Sequence, residues 1–255
     1  MKTKIALVSG ASSGIGAELA RCLARGGWEL HLVARRQDML QKLADELPTK
    51  TTIHAVDLTD VEARQQLIDS LHDVPFSCLV NNAGFGDYAP YAETKWPKIE
   101  AMIHLNIEAL AHLTHAFLPG MLERKQGKIL NVASIVAFFP GPAMASYYAS
   151  KAFVLTFSES LATEVEGSGV SVTCLCPGAT KSEFQERAKL EDSKLMDASM
   201  MDADEVARVG YKAMLRGQSL VIPGRNNVLM TFMPRLMPRK MLAHMMRDIQ
   251  SKRDK

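Results

Sequence analysis

Ile5-Ala6-Leu7-Val8-Ser9-Gly10-Ala11-Ser12-Ser13-Gly14-Ile15-Gly16 decides the architecture of this 255-residue chain. Four apolar residues in a row, closed by Ser9-Gly10, read as a strand buried on both faces. Past the glycines, Ile15, Leu19, Cys22 and Leu23 recur at the spacing of an amphipathic helix. A strand that turns through glycines into a helix aims free backbone N–H groups and the positive end of a helix dipole at the turn, a cradle for phosphate. The spacing G-x-x-x-G-x-G differs from the commoner G-x-G-x-x-G, and a glycine trio alone also fits a plain tight turn.

The alternation continues outward. Gly26-Gly27 stops the first helix, and strands are predicted at 30–33, 52–56, 76–80, 128–132, 170–176 and 220–222. Helical spacing fills the gaps at 39–47, 61–71, 94–118, 147–166 and 202–215. Seven strands separated by helices imply an α/β fold: a single Rossmann-like, doubly wound parallel sheet with helices on both faces. Residues 1–224 read as this one domain, and 225–255 as a C-terminal extension.

Composition agrees: 47% hydrophobic, 23% charged, 16 Gly and 11 Pro exclude disordered, collagen-like and coiled-coil chains. Cys22, Cys78, Cys174 and Cys176 are too few for a disulfide framework and read as reduced core residues of a cytoplasmic protein. Cys174 and Cys176, two apart on a strand, share one face of the sheet. The run 5–8 is too short for a signal segment, and Pro140-Gly141-Pro142 interrupts the longest charge-free stretch, so no spanning helix is expected. Net charge is only +2, which gives no reason to expect nucleic acid. The charge is nevertheless uneven: residues 224–255 hold eight Lys/Arg and two Asp.

Tyr147 and Lys151 stand four apart on a predicted helix and share a face. A free phenol titrates near pH ~10, and a neighbouring cation favours its ionised form, as acid–base work near neutrality requires. Tyr148, about 100° around the helix, reads as packing or pocket wall. His112 and His115 lack further ligands at metal spacing, so no metal is expected. At the end of the second strand, where an acid about 20 residues past the loop would hold a ribose diol, the chain reads Val33-Ala34-Arg35-Arg36. Guanidinium binds a 2′-phosphate that a carboxylate would repel, so Arg35 and Arg36 point to NADP(H).

These stretches together resemble the short-chain dehydrogenase/reductase family, NADP-preferring type. The loop resembles its T-G-x-x-x-G-x-G with Ser9 for Thr; Asn81-Asn82-Ala83-Gly84 matches its N-N-A-G; Ser134, Tyr147 and Lys151 match its S…Y-x-x-x-K, with 13 residues from Ser to Tyr; and Pro177-Gly178 matches its P-G turn. The matches run in order from residue 5 to about 184. The resemblance implies an oxidoreductase interconverting a carbonyl and a secondary alcohol. It implies Tyr147 as general acid/base, Ser134 orienting the substrate oxygen, Lys151 holding the nicotinamide ribose, and Asn106 holding a water that relays protons. It also implies cofactor contacts at Gly10, Ser12, Ser13, Gly14, Ile15, Gly16, Asp57, Leu58, Asn82, Ala83, Gly84, Pro177, Gly178 and Thr180. Some members carry a basic residue where this chain has Ser13. A homodimer or homotetramer built on the fourth and fifth helices is implied too.

Residues 181–201 resemble the family's substrate lid; Phe184, Leu190, Leu195, Met196, Met200 and Met201 suit an apolar substrate. The extension holds six of the 15 Met, and Met241, Leu242, Met245, Met246 and Ile249 form one helical face. That face is expected to pack on the substrate side or on a second subunit. The other reading is a basic amphipathic helix lying on an anionic membrane. Prolines 234 and 238 preclude one long helix. Against the enzyme reading stands a catalytically silent dinucleotide-binding scaffold, with a nucleic-acid binder further off. Retention of Ser134, Tyr147 and Lys151 together favours the enzyme.

Overall fold

A computed structural model describes residues 4–188 and 200–250. The strands are β1 (Ile5–Ser9), β2 (Glu29–Ala34), β3 (Thr51–Ala55), β4 (Cys78–Asn81), β5 (Gly127–Val132), β6 (Val170–Leu175), β7 (Thr180–Lys181), β8 (Met201–Asp202) and β9 (Leu220–Val221). Seven make one parallel sheet in the order β3-β2-β1-β4-β5-β6-β9. All seven expected strands are present, shifted by no more than two residues at either end. The pair β7–β8 is a separate parallel ribbon that the sequence reading did not contain. It ties the two ends of the lid segment together. Leu190, Leu195 and Met196 of that segment lie outside the described residues.

The helices are α1 (Gly14–Arg25), α2 (Gln37–Glu46), α3 (Val61–Ser70), α4 (Trp96–Ile103), α5 (Leu110–Glu123), α6 (Ala145–Glu164), α7 (Phe184–Arg187), α8 (Ala203–Leu215), α9 (Arg225–Leu236) and α10 (Arg239–Gln250). Period-two alternation divides each strand between two cores. Ala6 and Val8 of β1, with Leu30 and Leu32 of β2, pack under Leu19 and Leu23 of α1 and Met214 of α8. Ile5 and Leu7, with Ile129 and Val172, pack on the other face under Leu113 and Phe117 of α5 and Leu161 of α6. Strands sandwiched this way must be apolar on both faces, which is why they read as unbroken apolar runs.

The long helical region expected over 94–118 is continuous, but one π-helical turn, His104–Ala109, joins α4 to α5. It brings Asn106 inward. Of the two prolines in the extension, only Pro238 separates helices; Pro234 is absorbed in the last turn of α9. All four cysteines are free and buried, with Cys174 Sγ and Cys176 Sγ 3.7 Å apart on one face. Among the described residues no helix is long and apolar enough to cross a membrane.

A buried polar chain crosses the middle of the sheet. Asn81 Nδ2 donates to Thr114 Oγ1 (3.0 Å) and Asn131 Oδ1 (2.9 Å), and Asn131 Nδ2 donates to Ser158 Oγ (2.9 Å). It locks β4, β5, α5 and α6 in register. Asn131→Ala removes the middle link and strands an amide hydrogen of Asn81 in the core. The expected loss is about 2–4 kcal/mol of unfolding free energy, measurable by urea denaturation.

Candidate active site

Successive strands are added in one direction from β1 to β3 and in the other from β4 onward, and such a parallel sheet offers its crevice at the carboxyl ends of β1 and β4, the strands flanking that switch. A cavity of about 630 Å³ opens there, within the size range of small-ligand sites. Each strand end contributes: the glycine loop after β1, Arg35 and Arg36 after β2, Asp57 and Leu58 after β3, Asn82–Gly84 after β4, Ser134 after β5, and Pro177 and Gly178 after β6.

Ser9 closes the switch point. Its hydroxyl donates to Val80 O (3.2 Å) and accepts from the backbone N–H groups of Asn82 (3.0 Å) and Ala83 (3.2 Å). Asn82 answers with Nδ2, which donates to the Ser9 and Gly10 carbonyls, each at 3.1 Å. The fit is too close for side chains: a Cβ on Gly16 would lie 2.3 Å from both Asn82 Nδ2 and Gly10 O, and Gly10 has φ +66°. Gly16 therefore serves packing behind the cavity wall. Gly10, Ser12, Ser13, Gly14 and Ile15 line the cavity. Ser13, the N-cap of α1, makes no side-chain cap. The first-turn donors and the space left by the glycines fit the pyrophosphate of a dinucleotide.

Tyr147 and Lys151, one turn apart on α6, both line the cavity and are buried, as is Ser134. Lys151 Nζ donates to Val132 O at 2.8 Å and sits 6.0 Å from the centre of the Tyr147 ring. Burial pushes the Lys151 ammonium down to about 8. Burial also holds the Tyr147 phenol above its ordinary value; the Tyr148 phenol adds to this, and a hydrogen bond with Ser134 offsets part of it. The expected lowering of the phenol by Lys151 is not found: desolvation dominates, and Tyr147 is protonated at neutral pH.

Asn106 lies behind the cavity rather than on its wall. Its Nδ2 donates to Phe85 O (2.9 Å) and Ser150 Oγ (3.0 Å), and its Oδ1 accepts from Phe85 N (3.1 Å). Ser150 Oγ in turn donates to Tyr147 O (2.7 Å). Both amide hydrogens are committed, so the side chain couples the loop after β4 to the Tyr147 turn of α6.

At the far end, Arg36 donates to Glu183 Oε2 (2.9 Å) and Oε1 (3.3 Å) and to Ser12 Oγ (3.3 Å). Arg35 pairs with Asp57 at 3.5 Å. Partial burial pushes the Asp57 carboxyl up, but Thr59 N–H (3.0 Å), Thr59 hydroxyl (2.8 Å) and Arg35 bring it below the ordinary carboxylate value. Buried Arg64 fixes this corner through Leu58 O (2.9 Å), with Glu108 and His112 as its other partners. His112 is thereby occupied by Arg64.

The sequence profile of the short chain dehydrogenase family matches residues 4–193. The chain belongs to the short-chain dehydrogenase family. It is 38% identical over 186 residues, 71% of the chain and 74% of the relative, to sulfoacetaldehyde reductase 2 of Chromohalobacter salexigens. A short-chain dehydrogenase from Sphingobium yanoikuyae in complex with NADPH superposes with a TM-score of 0.81 at 30% identity, covering 99% and 98% of the two chains. The bulky-bulky ketone specific alcohol dehydrogenase of Comamonas testosteroni superposes with a TM-score of 0.78 at 26% identity, covering 100% and 98%. The protein is an NAD(P)-dependent oxidoreductase of this family.

The dehydrogenase also recruits residues with no motif. Phe85, Val136, Met144, Phe184 and Met230 give the cavity an apolar wall, and Tyr148 joins it. The extension completes that side. Leu242 and Met246 of α10 are buried in a cluster with Tyr147, Tyr148 and Met144, whereas Met241 and Ile249 stay exposed. Gln250 Nε2 donates to the Tyr148 hydroxyl, and the Tyr88 hydroxyl donates to Gln250 O. The spacing of 241–249 signalled this face, but no local pattern signalled Gln250.

The Lys151 value sets a pH dependence. The ammonium is present below about 8 and is lost above it. Affinity for the nicotinamide cofactor, titrated by fluorescence, should weaken as pH rises through that value. Affinity flat from neutrality well into the alkaline range would remove charged Lys151 from cofactor binding.

Proposed function

We propose that the dehydrogenase reduces the carbonyl of an apolar substrate with NADPH, and that Tyr147 supplies the proton. The carrying observation is a buried, protonated Tyr147 grouped with Ser134 and Lys151 in the cavity that the glycine loop opens. The bound dinucleotide supplies the hydride to the carbonyl carbon. Ser134, beside Tyr147 on the cavity wall, orients the carbonyl oxygen, and the phenol transfers its proton to that oxygen as negative charge develops there. The product is a secondary alcohol. Lys151 holds the ribose hydroxyls and stabilises the phenolate left behind. Asn106 acts as a positioning residue through Ser150 and Phe85. A proton donor held neutral by burial favours reduction over alcohol oxidation, which needs the phenolate.

The apolar wall favours a bulky hydrophobic ketone, in keeping with the bulky ketones named for the Comamonas testosteroni structure. Arg35 and Arg36 support NADPH, as does the NADPH complex of the Sphingobium yanoikuyae structure. The Arg36–Glu183 pair adds a competing carboxylate at the same guanidinium.

Tyr147→Phe deletes only the hydroxyl and should lower kcat about 10²–10⁴-fold with cofactor affinity nearly intact. Retention of more than about a tenth of the activity, a loss below that range, would assign the proton to another group. Steady-state assays with a ketone panel and NADPH consumption test this.

The two partners at the 2′-phosphate end should act with opposite signs. Arg36→Ala should lower the NADPH/NADH affinity ratio about tenfold, because charge-assisted contacts contribute roughly 1.5–3 kcal/mol. Glu183→Gln frees the guanidinium and should raise the ratio several-fold, less than the full contact because the pair is partly solvated. Movement of both variants in one direction would show that Arg36 does not read the phosphate.

A further inference from the structure

α9 has two unlike faces. One faces the cavity: Asn227 and the partly solvent-exposed Met230 line it, Thr231 is buried, and a Cβ on Gly178 would lie 2.5 Å from Asn227 Nδ2. The opposite face carries Val228, Leu229, Phe232, Met233 and Leu236, all exposed, within an arc of roughly 140° at 3.6 residues per turn. Leu229 is 71% exposed, Phe232 52% and Leu236 85%. Large apolar side chains grouped on one helix face mark an interaction surface rather than ordinary surface scatter.

The charge around this face identifies its partner. From Arg225 to Lys240, across α9 and the start of α10, the chain contains no Asp or Glu and four cations: Arg225, Arg235, Arg239 and Lys240. Arg225 lies at the start of α9, Arg235 near its end, and Arg239 and Lys240 just beyond, all exposed. Arg235 is held 5.3 Å from the Phe232 ring, beside the apolar face rather than across it. An apolar stripe whose own helix and following turn carry Arg225, Arg235, Arg239 and Lys240 and no acid complements an anionic lipid surface, where side chains enter the acyl boundary and cations meet headgroups. A second copy of the chain is a poor partner, since a two-fold contact would oppose like-charged borders. The depth needed is interfacial only, in keeping with the absence of a spanning helix among the described residues.

We propose that α9 docks the protein onto anionic bilayer surfaces, with Leu229, Phe232 and Leu236 inserted and Arg225, Arg235, Arg239 and Lys240 at the headgroups. Because Asn227 and Met230 of the same helix line the cavity, docking sets the cavity wall one helix thickness from the lipid. An apolar substrate dissolved in the bilayer then reaches the site without crossing bulk water. The docking stands apart from the assignment of NADPH or of a ketone, because binding to vesicles is read without turnover.

The experiment is co-sedimentation of the full chain with phosphatidylcholine vesicles containing or lacking phosphatidylglycerol. Wild type should sediment with the anionic vesicles, not the neutral ones, and high salt should release it. Leu229→Glu/Phe232→Glu/Leu236→Glu should abolish sedimentation while leaving the melting temperature and turnover of a small water-soluble carbonyl unchanged. Arg235→Gln/Arg239→Gln/Lys240→Gln, a milder surface change, should weaken binding at least tenfold, since each cation near such a surface contributes roughly fivefold. Wild type that ignores anionic vesicles overturns the proposal, as does sedimentation unaffected by both variants. A gel-filtration mass that halves in the Glu variant, with no vesicle binding by wild type, would assign the face to a second copy instead.

Discussion

The cross-link between the ends of β1 and β4 carries the rest of the site. A doubly wound sheet parts at its switch point, and the crevice is useful only if its two lips stay at a fixed separation. Ser9 supplies one hydroxyl that donates to β4 and accepts two of its following N–H groups, while the Asn82 amide returns two bonds to the β1 loop. Serine does this as well as the family's threonine because only the hydroxyl takes part. With the lips fixed, Gly10 and Gly16 leave no room for a Cβ, and the loop has a single path over the first turn of α1. The glycine spacing is thus a consequence of the Asn82 approach as much as of the phosphate it would hold.

The same economy appears on the α6 side. Asn106, Ser150 and the backbone at Tyr147 form a chain of hydrogen bonds with no exposed member, set by the π-helical turn that swings Asn106 inward. π-turns interrupt a helix at a cost and recur where a side chain must be re-aimed for function. Here the turn joins the loop after β4 to the Tyr147 turn of α6, so the glycine-loop end and the Tyr147 end of the cavity share one framework. Burial then sets the chemistry: it disfavours both charged forms at once, leaving a neutral phenol and a lysine close to its titration range.

What the sequence displayed and what it hid divide along physical lines. The seven strands were legible because strands covered on both faces must be apolar at every position; the glycine loop, Asn82 and Ser134 stood out because they follow strand ends, and Tyr147 with Lys151 because an i, i+4 pair shares a helix face. Pairings between distant segments were not legible. Arg36 with Glu183, Gln250 with Tyr148 and Tyr88, and Arg64 with Leu58 O join positions whose separation in sequence carries no periodic signal. The β7–β8 ribbon has two residues per strand and therefore no alternation to detect. The Tyr147–Lys151 spacing reports a neighbour and not burial, so it carries no sign of the desolvation that raises the phenol.

Two of those hidden pairings lie at the start of the lid segment and in the extension. Arg36 is bound by a carboxylate two residues beyond β7, at the root of the lid. Because Arg36 also lines the cavity, the same guanidinium links the cavity end to the lid root. At the other end, α10 seals the cluster around Tyr147 and Tyr148 with Leu242 and Met246, and α9 contributes Met230 to the wall. Substrate selection therefore rests on segments anchored by side chains rather than by the sheet. Such segments can vary in sequence without disturbing the strand ends that hold the chemistry, which lets one framework serve many carbonyl substrates.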